Sequence, residues 1–528
     1  MKDPQLDPQL VDADPGEIPA RPGGPAHPPP LLEAMSFTKH FGEVRANTDV
    51  DLRIFPGQVH ALIGENGAGK STLLKMIYGV IKPDAGQMLA KGHRVIVDSP
   101  AKARALGIGM VFQDLRLVAA LTVAENIALA MPGGFRLRSK RIAREIELAS
   151  AAHGLAVDPA AKVEHLSIGE RQRVEILKVL MTGASIVILD EPTSVLAPQE
   201  VDSLFAVIDH LRGQGLAIVL VTHKLNEVRA VADRVTVLRG GYVVLAEADP
   251  RDYSGEQLVE AMVGRQVPPL AADRQVVPDG AESRLQLAGA RAKGGQGHEA
   301  LRGIDLDVHA GELVGIAGVA GSGQRELCEV ALGLRPVTAG EIRIGDARLD
   351  GKNARDAIDA GAAAVPEDPV ADSVVPGLTV RQHMVLDGNR PPRRGLGIDW
   401  KRVAKRTAER DADVGLNIAG QDRLVGELSG GNIQRVVLTR ALGGEPEVVV
   451  AAYPSRGLDI TNTRRTQELL LRLRARGTAV LVVSEDLDEL MSISDRIAVM
   501  RDGQIAGVVQ VSETDRQAVG ALMVGSAT

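Results

Sequence analysis

The sequence predicts an α/β fold in two tandem copies, each a mixed, mostly parallel sheet with an inserted helical subdomain. The first observation behind that prediction is one set of motifs that occurs twice in the same order. GENGAGKST (Gly64 to Thr72), LSIGE (Leu166 to Glu170), IVILDEPTS (Ile186 to Ser194) and VTH (Val221 to His223) make up the first set. GVAGSGQRE (Gly318 to Glu326), LSGGN (Leu428 to Asn432), VVVAAYPS (Val448 to Ser455) and VSE (Val483 to Glu485) make up the second. Ser167, Asp190 and His223 pair with Ser429, Ala452 and Glu485, each 262 positions on. The second observation is a short apolar run before each chemical motif: VHALIG, SIVILD and AIVLVT. Fully apolar strands alternating with helical stretches indicate a parallel sheet covered on both faces. The third is the helical stretch SKRIAREIELASAAHGL (Ser139 to Leu155) between the glycine loop and LSIGE, answered by KRVAKRTAERDADVGL (Lys401 to Leu416). Their charge runs are expected to be solvated helix faces.

Along the chain, residues 1–30 read DPQLDPQL and then RPGGPAHPPP, too rich in proline and acid to pack, and are expected to be a disordered tail. They lack the apolar core of a signal peptide. The first copy is expected over 31–264. A proline-dotted linker follows over 265–284, and the second copy fills 285–528, ending in LMVG as the first ends in AMVG. No apolar run approaches the roughly 18 residues of a membrane span. The single cysteine, Cys328, excludes an intramolecular disulfide framework and reads as an inert core residue in a cytosolic protein. A net charge of -7 gives no electrostatic case for a nucleic-acid partner.

The chemistry is concentrated in the first copy. Gly64, Glu65, Asn66, Gly67, Ala68, Gly69, Lys70, Ser71 and Thr72 fit G-x-x-x-x-G-K-[ST] between a strand and a helix, the context in which that loop cradles phosphates. Lys70 is expected to bridge β- and γ-phosphates of ATP, and Ser71 to ligand Mg2+. Asp190 ends an apolar strand, where a carboxylate is costly unless something such as a magnesium shell receives it. Glu191, next along, is placed to take the proton of an attacking water. His223 alone reads as an ordinary core histidine; in sequence with the other motifs it reads as a γ-phosphate contact. Gln113, in VFQD after GIGMV, is a weaker candidate to sense metal or water.

In the second copy Gln324 and Arg325 stand where Lys70 and Ser71 stood. Arg325 keeps only a charge that can pair with phosphate. Ala452 and Tyr453 replace Asp190 and Glu191, and Glu485 replaces His223, so hydrolysis is not expected there.

The run LSIGERQRVEILKVLMTGASIVILDEPTS resembles the ATPases of ABC transporters, from about residue 31 to residue 526. The resemblance implies two tandem P-loop ABC-type nucleotide-binding domains, in which the LSGG-type signature of one domain faces ATP on the glycine loop of the other. It implies that Phe41, in KHFGEVRA, stacks on adenine, although a core role is equally open. It also implies that Ser429, Gly430, Gly431 and Asp459 complete the site built on the first loop. The better signature lies in the second copy, since Ile168 stands at the equivalent of Gly430 and Ala197 at that of Asp459. Intact parts then assemble into one hydrolytic site and damaged parts into the other.

GVAGSGQ, AAYPSRGLD and DEPTSVLAPQE resemble the nucleoside branch of bacterial sugar and nucleoside importers more than the ribose-type branch; Pro369 and Arg325 depart from the family pattern. The partners implied are two transmembrane permease subunits and an extracytoplasmic binding protein, with coupling helices docking after Gln113 and Glu367. The chain would then be peripheral on the cytoplasmic face of the membrane. A soluble twin ATPase acting on ribosomes or DNA is the rival of another class, disfavoured by the short linker and the acidic charge.

Overall fold

VHALI before the first glycine loop is buried at every position because it forms the middle of a sheet with neighbours on both sides. In the computed structural model the described residues are 28–131, 139–193, 196, 198–266, 270, 281–295, 297–319 and 321–525. Nearly all of the expected tail, most of the expected linker and Ala197 lie outside them. The chain divides into two units between residues 267 and 268.

The first unit contains β1 (Leu32–Phe41), β2 (Val44–Ile54), β3 (Val59–Ile63), β4 (Ala85–Ala90), β5 (His93–Val95), β6 (Ile108–Val111), β7 (Ile186–Asp190), β8 (Ala217–Val221), β9 (Arg234–Arg239) and β10 (Tyr242–Ala248). One sheet has the order β10-β9-β3-β8-β7-β6, parallel except for the β9–β10 hairpin. The other, β2-β1-β4-β5, is antiparallel and has no counterpart in the sequence reading. Successive strand residues point to opposite faces. Ile186 and Ile188 of β7 therefore join a core shared with Phe37, Leu52 and Leu73, whereas Val187 and Leu189 join one shared with Val123, Ile146 and Val174. Both faces are covered, and this is why these strands carry no polar alternation.

The second unit repeats the plan with β11 (Ser283–Lys293), β12 (Glu299–His309), β13 (Leu313–Gly318), β14 (Ala339–Ile344), β15 (Ala347–Arg348), β16 (Ala362–Val365), the hairpin β17 (Arg393–Arg394) and β18 (Gly397–Ile398), β19 (Val448–Ala452), β20 (Ala479–Val483), β21 (Arg496–Arg501) and β22 (Gln504–Gln510). Its sheets run β12-β11-β14-β15 and β16-β19-β20-β13-β21-β22. Val448 and Val450 face one core, Val449 and Ala451 the other.

The charged stretches are helices, Ser139–His153 and Trp400–Val414. Each is anchored by a few apolar residues, Ile142 and Ile146 in the first and Val403 and Val414 in the second. One charge departs from the solvated-face expectation: Arg410 is buried and pairs with Asp387 at 2.7 Å, because an arginine pointing inward needs a carboxylate. Cys328 is buried and its thiol is pushed up to about 12 by that burial, which leaves it unreactive.

Gly109 marks how tightly β6 meets the helix Ile168–Met181. A Cβ there would lie 2.1 Å from Val179 Cγ1 and 2.9 Å from the Ala184 Cβ. Gly109→Ala is expected to destabilise the fold by about 1–3 kcal/mol, read as a lower denaturant midpoint in equilibrium unfolding.

Candidate functional site

Parallel strands end on one edge of a sheet, and loops at the carboxyl ends of such strands form the usual binding crevice. The order β3-β8-β7-β6 sets the loop after Ile63, then His223, then Asp190 and Glu191, then Gln113 along that edge. Residues far apart in the chain become neighbours through strand pairing alone.

The loop's glycines answer to space. A Cβ on Gly64 would lie 2.3 Å from the Leu238 carbonyl oxygen of β9. Gly69, in the left-handed region at φ 104°, caps the helix Lys70–Ile77. Asn66 and Gly67 are exposed at the loop tip, Ser71 is exposed in the first helical turn, and Thr72 is half-buried behind it. The N–H groups of that first turn lack intrahelical acceptors and are open to an anion. Lys70 is buried, and its ammonium donates to the carbonyls of Gly64 at 2.6 Å and Glu65 at 3.0 Å. Burial pulls its pKa below the ordinary value, against the opposing pull of Glu191, Asp190 and Glu65.

Beyond it, Glu191 accepts a hydrogen bond from Gln113 Nε2 at 3.1 Å and pairs with His223 Nδ1 at 3.2 Å. Burial works to raise the Glu191 carboxyl. The hydrogen bond from His223, together with the charges of His223, Lys70 and Lys224, outweighs it and keeps the group below its usual range. Glu191 also has a left-handed backbone, φ 46°, which a non-glycine residue adopts only at a cost. Asp190 is the opposite case: burial and the neighbouring Glu191 charge push its carboxyl up to about 6. Two acids facing one buried ammonium leave excess negative charge, and the hard oxygen donors of Asp190, Ser71 and Gln113 suit Mg2+. The residues present fit that ion. His223 is not a core histidine; its side chain is 43% exposed. Phe41 is also not core: it stands 48% exposed at the end of β1, with the Lys39 ammonium 5.6 Å from its ring centre.

In the second unit the backbone persists while the groups change. Gly323 caps the loop helix with φ 102°, and Tyr453 keeps the left-handed backbone of Glu191 at φ 50°. Gln324 is buried and donates to the Val319 carbonyl at 3.0 Å, filling the lysine's place with a neutral amide. Arg325 is held by Glu329, one helical turn on, at 2.9 Å. Ala452 is buried at the end of β19. Glu367 and Glu485 stand where Gln113 and His223 stand in the first unit. Arg456 lies 3.7 Å from Glu367 and 3.9 Å from Glu485, with its guanidinium 5.8 Å from the Tyr453 ring centre. The place held by Gln113 and His223 in one unit holds a pair of carboxylates and their own cation in the other.

The two signature helices differ at their N-termini. Ser167 caps Ile168–Met181 in a reciprocal box, donating its N–H to Glu170 at 2.8 Å and accepting from the Glu170 N–H at 3.2 Å. Asn432 replaces that glutamate in the second unit, and Ser429 makes no side-chain cap to Gly430–Leu442. A Cβ on Gly430 would meet nothing within 4 Å, and one on Gly431 only the Gly457 carbonyl at 3.3 Å. Internal packing does not demand glycine at 430, and no side chain caps that helix end. Asp459 is occupied within its own unit, capping Ile460–Ala475 through the Asn462 N–H at 2.7 Å.

Sequence reasoning missed a latch behind each row. Glu227 accepts from Thr193 and, at 2.7 Å, from Thr222; Glu489 accepts from Ser455 and, at 2.7 Å, from Ser484. Hydroxyl residues five before each glutamate, in VTHKLNE and VSEDLDE, were the available signal.

A family model described as "ABC transporter" matches residues 47–194 and 301–453. The Nucleoside import ATP-binding protein NupA of Lactococcus lactis subsp. cremoris is 39% identical, over 94% of this chain and 98% of its own length. The Guanosine import ATP-binding protein NupO of Bacillus subtilis is 38% identical over the same shares, 94% and 98%. The Ribose import ATP-binding protein RbsA 1 of Burkholderia ambifaria is 38% identical over 90% and 93%. The fold is also seen in the archaeal ribosome recycling factor aABCE1 bound to stalk protein aP1, with a TM-score of 0.58 at 20% identity over 89% of this chain and 88% of that one.

Asp190 is held protonated up to about pH 6 in the folded chain, against about 3.9 when unfolded. The folded state therefore binds more protons in that window, and stability falls as pH rises through it. Asp190→Asn is expected to stabilise the nucleotide-free protein at pH 7.5 by up to about 3 kcal/mol, a gain that fades as the pH is lowered toward 4. Thermal melts at the two pH values check both the sign and the window.

Proposed function

We propose that this chain, which belongs to the ABC transporter family, energises an importer through one hydrolytic site made from the first unit's loop and carboxylate row and the second unit's signature. It is an ATPase. The observation that carries the single-site reading is the hydrogen-bonded row Gln113–Glu191–His223 in the first unit, set against Glu367, Tyr453 and Glu485 in the second.

In this reading Lys70 and the loop N–H groups, with Ser71 and Thr72, hold the β- and γ-phosphates, and Phe41 offers a free face to adenine. Ser71, Asp190 and Gln113 would hold Mg2+, which would supply charge neutralisation at the phosphate oxygens. Glu191, kept ionised by its partners, takes the proton of the water whose oxygen bonds to the γ-phosphorus as the bond to the leaving ADP oxygen breaks. His223 orients Glu191 and faces the transferred phosphate. Ser429, Gly430 and Gly431 supply an uncapped helix end to the same phosphates, with Asp459 beside them. The first unit's signature ends in Glu170, which repels an anion. Gln324, Arg325, Ala452, Tyr453 and Glu485 leave the second loop without hydrolytic groups.

The cargo we favour is nucleosides, a reading supported by the nucleoside and guanosine import relatives and by the motifs of the second unit. Sugar import is the second reading, supported by the ribose import relative at 38% identity. Two transmembrane permease subunits and an extracytoplasmic binding protein complete such a system. The permeases hold this chain peripherally on the cytoplasmic face of the membrane. Differential affinity of ATP for a closed state is then what moves the permeases.

Glu191→Gln is expected to abolish ATP turnover, whereas Tyr453→Phe leaves most of it; similar losses in a phosphate-release assay would defeat the single-site reading. In cells whose only copy carries Glu191→Gln, uptake of labelled nucleosides is expected to be lost with pentose uptake intact. Loss of pentose uptake alone would transfer the protein to the sugar reading, and loss of neither would defeat the import reading.

A further inference from the structure

Asn47 lies in β2 and is fully buried, yet neither its amide nitrogen nor its carbonyl oxygen has a hydrogen-bond partner among the described residues. An unpaired amide in the core is destabilising, and natural cores retain few of them. Its position explains where a partner would come from. Gly69, the residue before Lys70, lies flush against it: a Cβ on Gly69 would be 2.7 Å from Asn47 Nδ2 and 2.3 Å from the Ala46 carbonyl oxygen. With no side chain between them, the carboxamide abuts the main chain where the phosphate loop becomes a helix.

The second unit provides an internal control. Gly323 packs the same way, its Cβ position 2.8 Å from the Ala300 carbonyl oxygen and 3.1 Å from Leu301 Cδ2. Leu301 is fully buried at the place of Asn47. The fold therefore accepts an apolar side chain of similar size there, and the amide accompanies the loop that keeps its lysine and hydroxyl.

We propose that Asn47 is a positioning residue for nucleotide binding, its carboxamide taking up main-chain groups around Gly69 when the loop closes on the phosphates of a nucleoside triphosphate. This rests on the reading of the Gly64–Thr72 loop as the ATP site. A carboxamide satisfied only when phosphate is held favours the gripping form of the loop.

The test compares the full-length wild type with Asn47→Leu, Asn47→Ala and Lys70→Ala. It reads the Kd for ATP by calorimetry, the KM and kcat of hydrolysis, and the melting temperature without nucleotide. Asn47→Leu is expected to melt no lower than wild type while its Kd and KM for ATP rise about tenfold, with kcat changed by less than about twofold. Asn47→Ala, which adds no bulk, is expected to show the same rise in Kd even if it melts lower. Wild-type Kd in either variant would overturn the proposal and make the amide a mere packing defect. Unchanged ATP binding in Lys70→Ala would instead overturn the reading of the loop on which it rests.

Discussion

The hydrogen-bond ladder joining β3 to β8, β8 to β7 and β7 to β6 is the constraint on which the rest of the first unit depends. It aligns four strand ends, and with them the lysine, the histidine, two carboxylates and a glutamine that lie far apart in the chain. A slip of one residue in any pairing would exchange the two faces of that strand between the two cores. The apolar residues of β7 and β8 therefore fix the register that holds Glu191 within hydrogen-bond reach of both Gln113 and His223.

The second unit separates scaffold from chemistry within one chain. Its strand order, the buried glutamate latch and the left-handed residue after the carboxylate strand are all kept. Keeping a strained backbone at Tyr453, where no carboxylate remains to be aimed, identifies that turn as part of the strand–loop geometry rather than of catalysis alone. Where Ser71, Gln113 and His223 stand in the first unit, the second has internal ion pairs, Arg325 with Glu329 and Arg456 with Glu367 and Glu485. Groups that satisfy one another lose the excess charge that attracts a charged ligand.

The signature helices carry the same asymmetry in electrostatic form. A helix N-terminus holds roughly half a positive charge. Glu170 consumes it in the first unit through a capping box, whereas Asn432 turns to the Ser429 hydroxyl at 2.9 Å and leaves the end uncapped in the second. One acid-to-amide difference decides whether the helix end stabilises itself or remains open to an anion.

Much of this was legible in the sequence. The strands were, because parallel strands covered on both faces are predominantly apolar, His60 of β3 being an exception, and the phosphate loop was, because its glycine pattern stands between a strand and a helix. The antiparallel β2-β1-β4-β5 sheet was not, since register shifts between Ala34 and Phe37 and onward to His40 break the alternation that would mark it. The order of motifs alone determined which groups the first copy has and the second has lost. Only the tertiary structure decided their company: that Phe41 is exposed rather than core, that Arg325 is tied to Glu329, that Asp459 caps its own helix and that the Asn47 amide beneath Gly69 has no partner among the described residues. Residue type and spacing follow from local chain geometry, but a hydrogen-bond partner is chosen by strand order and burial, and these are properties of the folded whole.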